Sequence, residues 1–412
     1  MFKRIGQVLA ASALVTGSLL GSAQAAEELN FGIISTESSQ NLKAMWDPFL
    51  ADMSKQTGIK INAFFAPDYA GIIQGMRFDK VDVAWYGNKS AMEAVDRAGG
   101  EIFAQTVAAN GAQGYYSLLV AHKDSPINSV EDMLKNASSL TFANGDPNSN
   151  STSGYLVPGY YVFAQNNADA SKIFKRSLNG SHEVNALSVA NKQVDVGTFN
   201  SEGMERLEVT APDKAAQLKV IWQSPLIPSD PIVWRKNLPQ ETRDKLRNFF
   251  MTYGAKPEEK KVLEGLQWGQ FKASDNDQLL PIRQLELFKK RTEVANNDKL
   301  KGADKQAQLK ELDAELAKLL NERLDSILEE VAALRELVPQ MLAGQRAKIE
   351  TRFAEMQAEL DPQRLEQELV LLAQKSDVAE ELDRLSTHVN EVRRVLKAGG
   401  AAGRRLDFLM QE

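Results

Sequence analysis

A chain of 412 residues has room for two or three domains with cores of their own. A formal charge of −6 gives no electrostatic attraction to nucleic acid or to an anionic membrane. The complete absence of cysteine excludes disulfides, thiolate catalysis, thiolate zinc sites and lipid attachment through a cysteine.

At the amino terminus, Lys3 and Arg4 precede an apolar run over residues 5–20 that ends at Ala23-Gln24-Ala25. A basic start, a short apolar stretch and an A-x-A site make up a secretory signal peptide and predict cleavage after Ala25. The run is too short and too rich in Ala, Ser and Gly for a membrane span, and no later segment is apolar enough for one. The expectation is a soluble, exported protein.

From residue 29 onward, short apolar runs alternate with helical periods: a strand over 29–34, a helix over 41–57 and a strand over 59–65. This alternation predicts βαβ units and a parallel sheet. The segment KVDVAWY at 80–86 is echoed by QVDVGTF at 193–199, and each leads into a polar turn, containing Asn88 or Asn200. One such strand in each half is what two similar lobes facing a common cleft require. Candidate crossings between the lobes are GYYSLLVA at 114–121 and the stretch 218–235, which Pro225, Pro228 and Pro231 punctuate. Two crossings make the first lobe discontinuous, completed by helices near 243–253 and 257–266, and allow hinge motion.

Between the crossings, GDPNSNSTSGYLVPGYYVF at 145–163 places turn formers and three consecutive hydroxyls, Ser151, Thr152 and Ser153, ahead of an apolar helical run. Free backbone N–H groups at a helix start, the helix dipole and hydroxyl donors together suit a tetrahedral oxyanion. The same pattern also serves an ordinary helix N-cap. Tyr69 in APDYAG and Tyr115 in GYYS stand at turn or strand-end positions from which a phenol can donate into a cleft. No serine-hydrolase, metalloprotease, dinucleotide or P-loop motif is present, so this part reads as a binder that needs no cofactor or metal.

Beyond about residue 300 the composition changes, with neither Trp nor Tyr from 320 to 412. Leu320, Leu324, Ile327, Val331, Leu334, Val338 and Met341 follow the four-three spacing of an a/d seam. The preceding Leu309, Leu312, Leu316 and Leu319 are out of step by one residue, which predicts two helices meeting there. Asp361-Pro362 starts a further helix and Gly399-Gly400 stops the last long one, giving an all-α tail that offers a surface for self-association.

Seven ordered segments, NFGIISTESSQNL, NAFFAPDYAGIIQGMRF, VDVAWYGN, NGDPNS, STSGYLVPGYYVF, HEVNALSVANKQVDV and SPLIPSDPIVWRKNL, resemble the periplasmic phosphonate-binding proteins of ABC importers. The resemblance spans about residues 27–300. It implies an α/β, type II periplasmic-binding fold of two lobes with a hinged cleft, closing on an organophosphonate such as 2-aminoethylphosphonate and presenting it to an inner-membrane permease. It implies that Ser151, Thr152 and Ser153 grip the phosphonate together with Tyr69, Tyr115 and His182, and that Glu202 and Asp230 hold the ligand's amine. Asn150-Ser151 looks like a two-residue insertion, leaving Ser149 or Ser151 as the first contact.

RLEQELVLLAQKSDVAEELDRLSTHV and GRRLDFLMQE resemble the carboxy-terminal part of the YicC-like endoribonucleases. That resemblance implies that this region contributes acidic residues to a metal-dependent RNase, with Glu366, Glu368, Asp377, Glu381, Asp383, His388 and Asp407 occupying its motifs. Asp377, Glu381, Arg384 and His388 also share one helical face by spacing, as an ordinary solvated face would. The family's amino-terminal domain is absent and the acidic chain lacks a basic stripe, so RNase activity is the alternative expectation and ligand binding the first. The expected division is a signal peptide at 1–25, a first lobe at 26–118 with 225–319, a second lobe at 119–224 and a helical tail at 320–412.

Overall fold

A computed structural model describes residues 28–146, 148, 150–355 and 378–398. The apolar run after Glu28 forms β1 (Glu28–Ile33), followed by α1 (Ser39–Thr57), β2 (Lys60–Phe65), α2 (Tyr69–Arg77), β3 (Val83–Trp85), α3 (Asn88–Arg97) and β4 (Gly100–Gln105). A first crossing consists of β5 (Gly114–Tyr115) and leads into β6 (Ser117–His122), α4 (Val130–Asn136) and β7 (Thr141–Gly145). Two wide π-helical turns, Thr152–Leu156 and Gly159–Phe163, precede α5 (Ala170–Ile173), β8 (Arg176–Gly180), α6 (His182–Ala190), β9 (Val196–Asn200), α7 (Ser201–Thr210), α8 (Pro212–Ala215) and β10 (Leu218–Gln223). The chain returns through β11 (Ile227–Pro228) to β12 (Pro231–Arg235), α9 (Gln240–Thr252), α10 (Pro257–Gly265), β13 (Lys272–Ala273), α11 (Leu280–Ala295), α12 (Gly302–Glu355) and α13 (Val378–Ala398).

Two sheets result, with strand orders β13-β4-β12-β3-β1-β2 and β10-β6-β9-β7-β8. The expected parallel sheet is corrected to two mixed ones. Strands β2, β1 and β3 run parallel, as do β8, β7 and β9, but β12 and β6 enter antiparallel beside them. Both antiparallel strands follow a crossing, which delivers the chain from the opposite end of the sheet. The echoed segments therefore occupy equivalent places, β3 and β9 each lying between a parallel and an antiparallel neighbour. In both lobes the helices that follow the parallel strands start at the cleft.

The crossings pair with each other, Tyr115 opposite Ile227 and Gly114 opposite Pro228. A Cβ on Gly114 would stand 2.4 Å from the Ile227 carbonyl oxygen, so only glycine permits this approach. The second sheet takes Ser117 and Leu118 into β6, two residues ahead of the expected start of the second lobe at 119.

The first lobe's core is aromatic: Trp46 packs on Phe31, Phe49, Trp85 and Trp268, and Phe103 stacks on Trp234 with centroids 4.0 Å apart. Such ring pairs contribute about 0.5–1.5 kcal/mol each beyond the area they bury. A smaller cluster of Phe142, Phe163 and Phe174 centres the second lobe. Helix α11 touches both lobes, through Arg283 to Asp96 at 2.6 Å and through Phe288 stacked on Tyr160.

The expectation of two helices meeting at Leu319-Leu320 is corrected, because α12 runs unbroken through that point. The slip in the seam marks a change of partner. Contacts from Arg291 to Asp313 and from Arg323 to Gln284 hold the stretch around Leu316 and Leu319 along α11. From Leu324 onward the apolar face turns to α13, where Leu324 is buried with Val389 and Val392. The seam's far end, Leu334 and Met341, is exposed. No helix among the described residues is long and apolar enough to cross a membrane.

Candidate ligand site

Strand β7 ends at Gly145, and the chain returns to start a helical turn at Ser151, an extended N-cap residue (φ −77°, ψ 133°) whose Oγ accepts from the N–H of Gly154 at 3.0 Å. The return is tight. A Cβ on Gly145 would lie 2.6 Å from the Cα of Gly154, so two glycines let the strand end and the helix start touch. The turn that follows is π-helical, a geometry that concentrates at functional sites. Ser153 is fixed from two sides: Ser117 Oγ donates to its carbonyl at 2.6 Å and Asn200 Nδ2 donates to its Oγ at 3.4 Å.

Other helix starts bring the remaining side chains. Tyr69 is the first residue of α2, capped by Asp68, and His182 is the first residue of α6, capped by Ser181. Glu202 is the second residue of α7, capped by Asn200. Tyr115 sits in the crossing strand β5, and Asp230 stands just before β12 on the returning strand. All eight predicted residues, Tyr69, Tyr115, Ser151, Thr152, Ser153, His182, Glu202 and Asp230, line one cavity of about 50 Å³ between the lobes. That is room for a few water-sized groups, hence for a small anion with a short substituent. Ser149 lies outside the described residues, whereas Ser151 is in the cavity wall and caps the turn.

Burial sets the charge states. It pushes both phenols, Tyr69 and Tyr115, upward and keeps them donors. Burial, with Arg206 nearby, lowers His182 to about 4, so at neutral pH its ring is uncharged, with Nε2 3.4 Å from Ser151 Oγ and 3.5 Å from Ser153 Oγ. Glu202 is raised to about 6 by burial, against the pull of Arg206. Asp230 is raised well above the usual carboxylate range by burial and by Glu202. Buried polar atoms of Thr36 (Oγ1), Trp85 (Nε1), His182 (Nδ1) and Asp230 (Oδ1) have no partner in the protein, and all four residues line the cavity. Native interiors satisfy nearly all such atoms, so their clustering marks a place built for a polar ligand.

The lobes are closed over this space. Lys89 N–H donates to Thr152 Oγ1 at 2.8 Å, Asn148 Nδ2 to Asp68 at 2.8 Å, Ser38 N–H to Glu183 at 2.9 Å, and Arg206 pairs with Glu37. Sequence reasoning did not single out Trp85, Thr36, Asn200, Glu37 or Arg206 as cavity residues. Trp85 and Asn200 lie at or beside the echoed segments and Thr36 and Glu37 in the first segment of the resemblance, which was the available signal, while Arg206 carries none.

Among the described residues, the tail candidates are not gathered into a site. Glu366, Glu368, Asp377 and Asp407 fall outside the described residues. Glu381, Asp383 and His388 are exposed on α13, with Glu381 paired to Arg384 at 3.1 Å and Asp383 to Arg335 at 2.5 Å. Among the described residues no group of three His, Asp or Glu is placed to hold a metal.

The family model for the periplasmic substrate-binding protein of phosphonate ABC transporters matches residues 31–279. The chain belongs to that family. The phosphonates-binding periplasmic protein of Escherichia coli K12 is 58% identical over 339 residues, covering 82% of this chain and 99% of the relative. The crystal structure of a binding protein component of an ABC phosphonate transporter from Pseudomonas aeruginosa superposes with a TM-score of 0.71 at 73% identity, covering 73% of this chain and 99% of that one. As a periplasmic binding protein of an ABC importer, the chain works with a membrane permease and takes a phosphonate ligand. A second model, the carboxy-terminal region of YicC-like endoribonucleases, matches residues 334–412 and so begins inside α12. A probable endoribonuclease YicC of Haemophilus influenzae is 54% identical over 94 residues, 23% of this chain and only 33% of that relative. The chain therefore spans about a third of the endoribonuclease's length.

Proposed function

We propose that this phosphonate-binding protein captures a small amine-bearing phosphonate, 2-aminoethylphosphonate or a close analogue, and hands it to its permease from the closed state. The carrying observation is one small cavity that combines hydroxyl and phenol donors with two carboxylates, the half-buried Glu202 and the buried Asp230. Phosphonate oxygens are acceptors only, so the donors of Ser151, Thr152, Ser153, Tyr69, Tyr115 and neutral His182 suit that end. Glu202 and Asp230 repel a bare dianion but pair with an ammonium, which offsets the cost of their burial. In this reading the signal peptide is removed after Ala25, residues 26–118 with 225–319 and residues 119–224 make the two lobes, and the segment from 320 is a helical appendage without a catalytic role.

Titration calorimetry with 2-aminoethylphosphonate, ethylphosphonate and inorganic phosphate tests this. The expected order is strongest for the aminophosphonate, with a matching rise in melting temperature. A folded protein that shows neither heat nor thermal shift at about millimolar aminophosphonate sinks the reading.

A further inference from the structure

Arg206 lies one turn after Glu202 on α7, the i, i+4 spacing at which a carboxylate and a guanidinium on one helix reach each other. Its charge is the influence that draws Glu202 downward against burial. In the closed lobes, however, no hydrogen bond or ion pair joins the two. The guanidinium is held instead by Glu37, with the side chains 14% and 13% exposed, and its Nε is buried without a partner. Glu37 comes from the loop after β1 in the first lobe, whereas Arg206 and Glu202 belong to the second. That loop is pinned to α6 on both sides of Glu37: Glu183 N–H donates to the carbonyl of Thr36 at 3.3 Å, and the Glu183 carboxylate accepts from Ser38 N–H at 2.9 Å and Asn41 Nδ2 at 2.7 Å.

We propose that Glu37 is a specificity-determining residue: on closure it takes Arg206 away from Glu202 and leaves the Glu202 carboxylate to the ligand's ammonium. The inference rests on the reading that Glu202 receives that ammonium. In the open protein Arg206 neutralises its helix neighbour, and a solvated carboxylate is left on the loop of the first lobe. Closure exchanges partners. Glu37 and Arg206 then form a half-buried pair without net charge, and the ligand's cation replaces the guanidinium beside Glu202. A phosphonate without an amine closes the same lobes but leaves Glu202 and Asp230 in the closed cavity with no cation, which penalises it. Without Glu37 the guanidinium stays on Glu202 and competes with the ammonium, so discrimination falls more than binding as a whole.

The test is calorimetric titration of the protein, Glu37→Gln, and the double variant Glu37→Gln/Arg206→Gln with 2-aminoethylphosphonate and ethylphosphonate, with melting curves of the unliganded proteins to verify folding. Glu37→Gln is expected to cut the affinity ratio between the two ligands about tenfold, and the double variant to recover most of it. A Glu37 that merely latches the lobes would weaken both ligands by the same factor and give no recovery. That result overturns the exchange, as does an unchanged ratio. If the unsubstituted protein itself prefers neither ligand, the amine reading fails and the exchange with it, an outcome visible before any substitution is made.

Discussion

Thr152 Oγ1, on the second lobe, accepts a 2.8 Å hydrogen bond from the backbone N–H of Lys89, the second residue of α3 on the first lobe. The first turn of a helix has no acceptor of its own for that N–H. The N-cap residue is Gly87, which brings no side chain to serve it, so a residue from across the cleft completes the helix. Thr152→Val keeps the shape and removes the acceptor. Ligand affinity should fall about ten- to a hundredfold, mostly through faster release, while Thr152→Ser stays near the parent. Surface plasmon resonance with separate on- and off-rates decides; a Val variant with unaltered release would count against the cross-cleft role.

Gly154→Ala tests the tight return of the chain. The new methyl would sit 2.7 Å from Ser151 Oγ and 3.1 Å from the Cα of Gly145, with no flexible group to move aside. A loss of about 1–3 kcal/mol in urea denaturation is expected, together with loss of ligand binding. Gly159→Ala is the control, because its methyl would meet only the far end of the Lys289 side chain, at 3.1 Å.

Acid should erode the preference for an amine. Glu202 is an acid raised by burial to about 6 from an ordinary 4.5. Its charge is therefore present above that value and lost as pH falls through it. The affinity ratio of 2-aminoethylphosphonate to ethylphosphonate should drop toward pH 5, after each affinity is corrected for that ligand's own phosphonate titration, since the ammonium makes the aminophosphonate the stronger acid. For the unliganded protein the sign is opposite: the buried charge disfavours the fold, so this group's contribution to stability declines as pH rises from about 4.5 through 6. Glu202→Gln should weaken both trends, leaving the part that the raised Asp230 contributes.

Val389, 3% exposed, is buried with Leu324 and Val392 where α13 meets α12. Val389→Asp places an unpaired carboxylate in that seam at a cost of about 3 kcal/mol. Hydrogen exchange across residues 378–398 should accelerate while affinity for the phosphonate is unaltered. A change in affinity would mean that the tail is coupled to the cleft.

Export can be checked by mass. Periplasmic material should have the intact mass of a chain starting at Ala26, and any other start displaces the proposed cleavage site.

Much of the architecture was legible because it follows local rules. The short apolar runs of the echoed segments became the central strands Val83–Trp85 and Val196–Asn200, and Ser151, first of the three consecutive hydroxyls, became an N-cap. Strand direction was not legible: a βαβ pattern specifies β1, β2 and β3, but β12 reaches the same sheet only after the chain has built a second lobe. The slip at Leu319-Leu320 was visible in the spacing, yet its meaning was not, since a change in apolar face reads alike whether a helix ends or changes neighbours.

Periodicity and composition carried the two-lobed α/β architecture and the helical tail, the hydroxyl run before a helix carried Ser151, Thr152 and Ser153, and the resemblance to phosphonate-binding proteins carried His182, Glu202 and Asp230. The tertiary structure added the pairings that span the chain: Thr152 with Lys89, Arg206 with Glu37, Glu183 with Ser38. Those contacts join residues 63, 169 and 145 positions apart. Nothing local selects Glu37 over another acid as the partner of Arg206; only the packing of two lobes about the paired crossing strands brings them together, and burial there sets the charge each group carries.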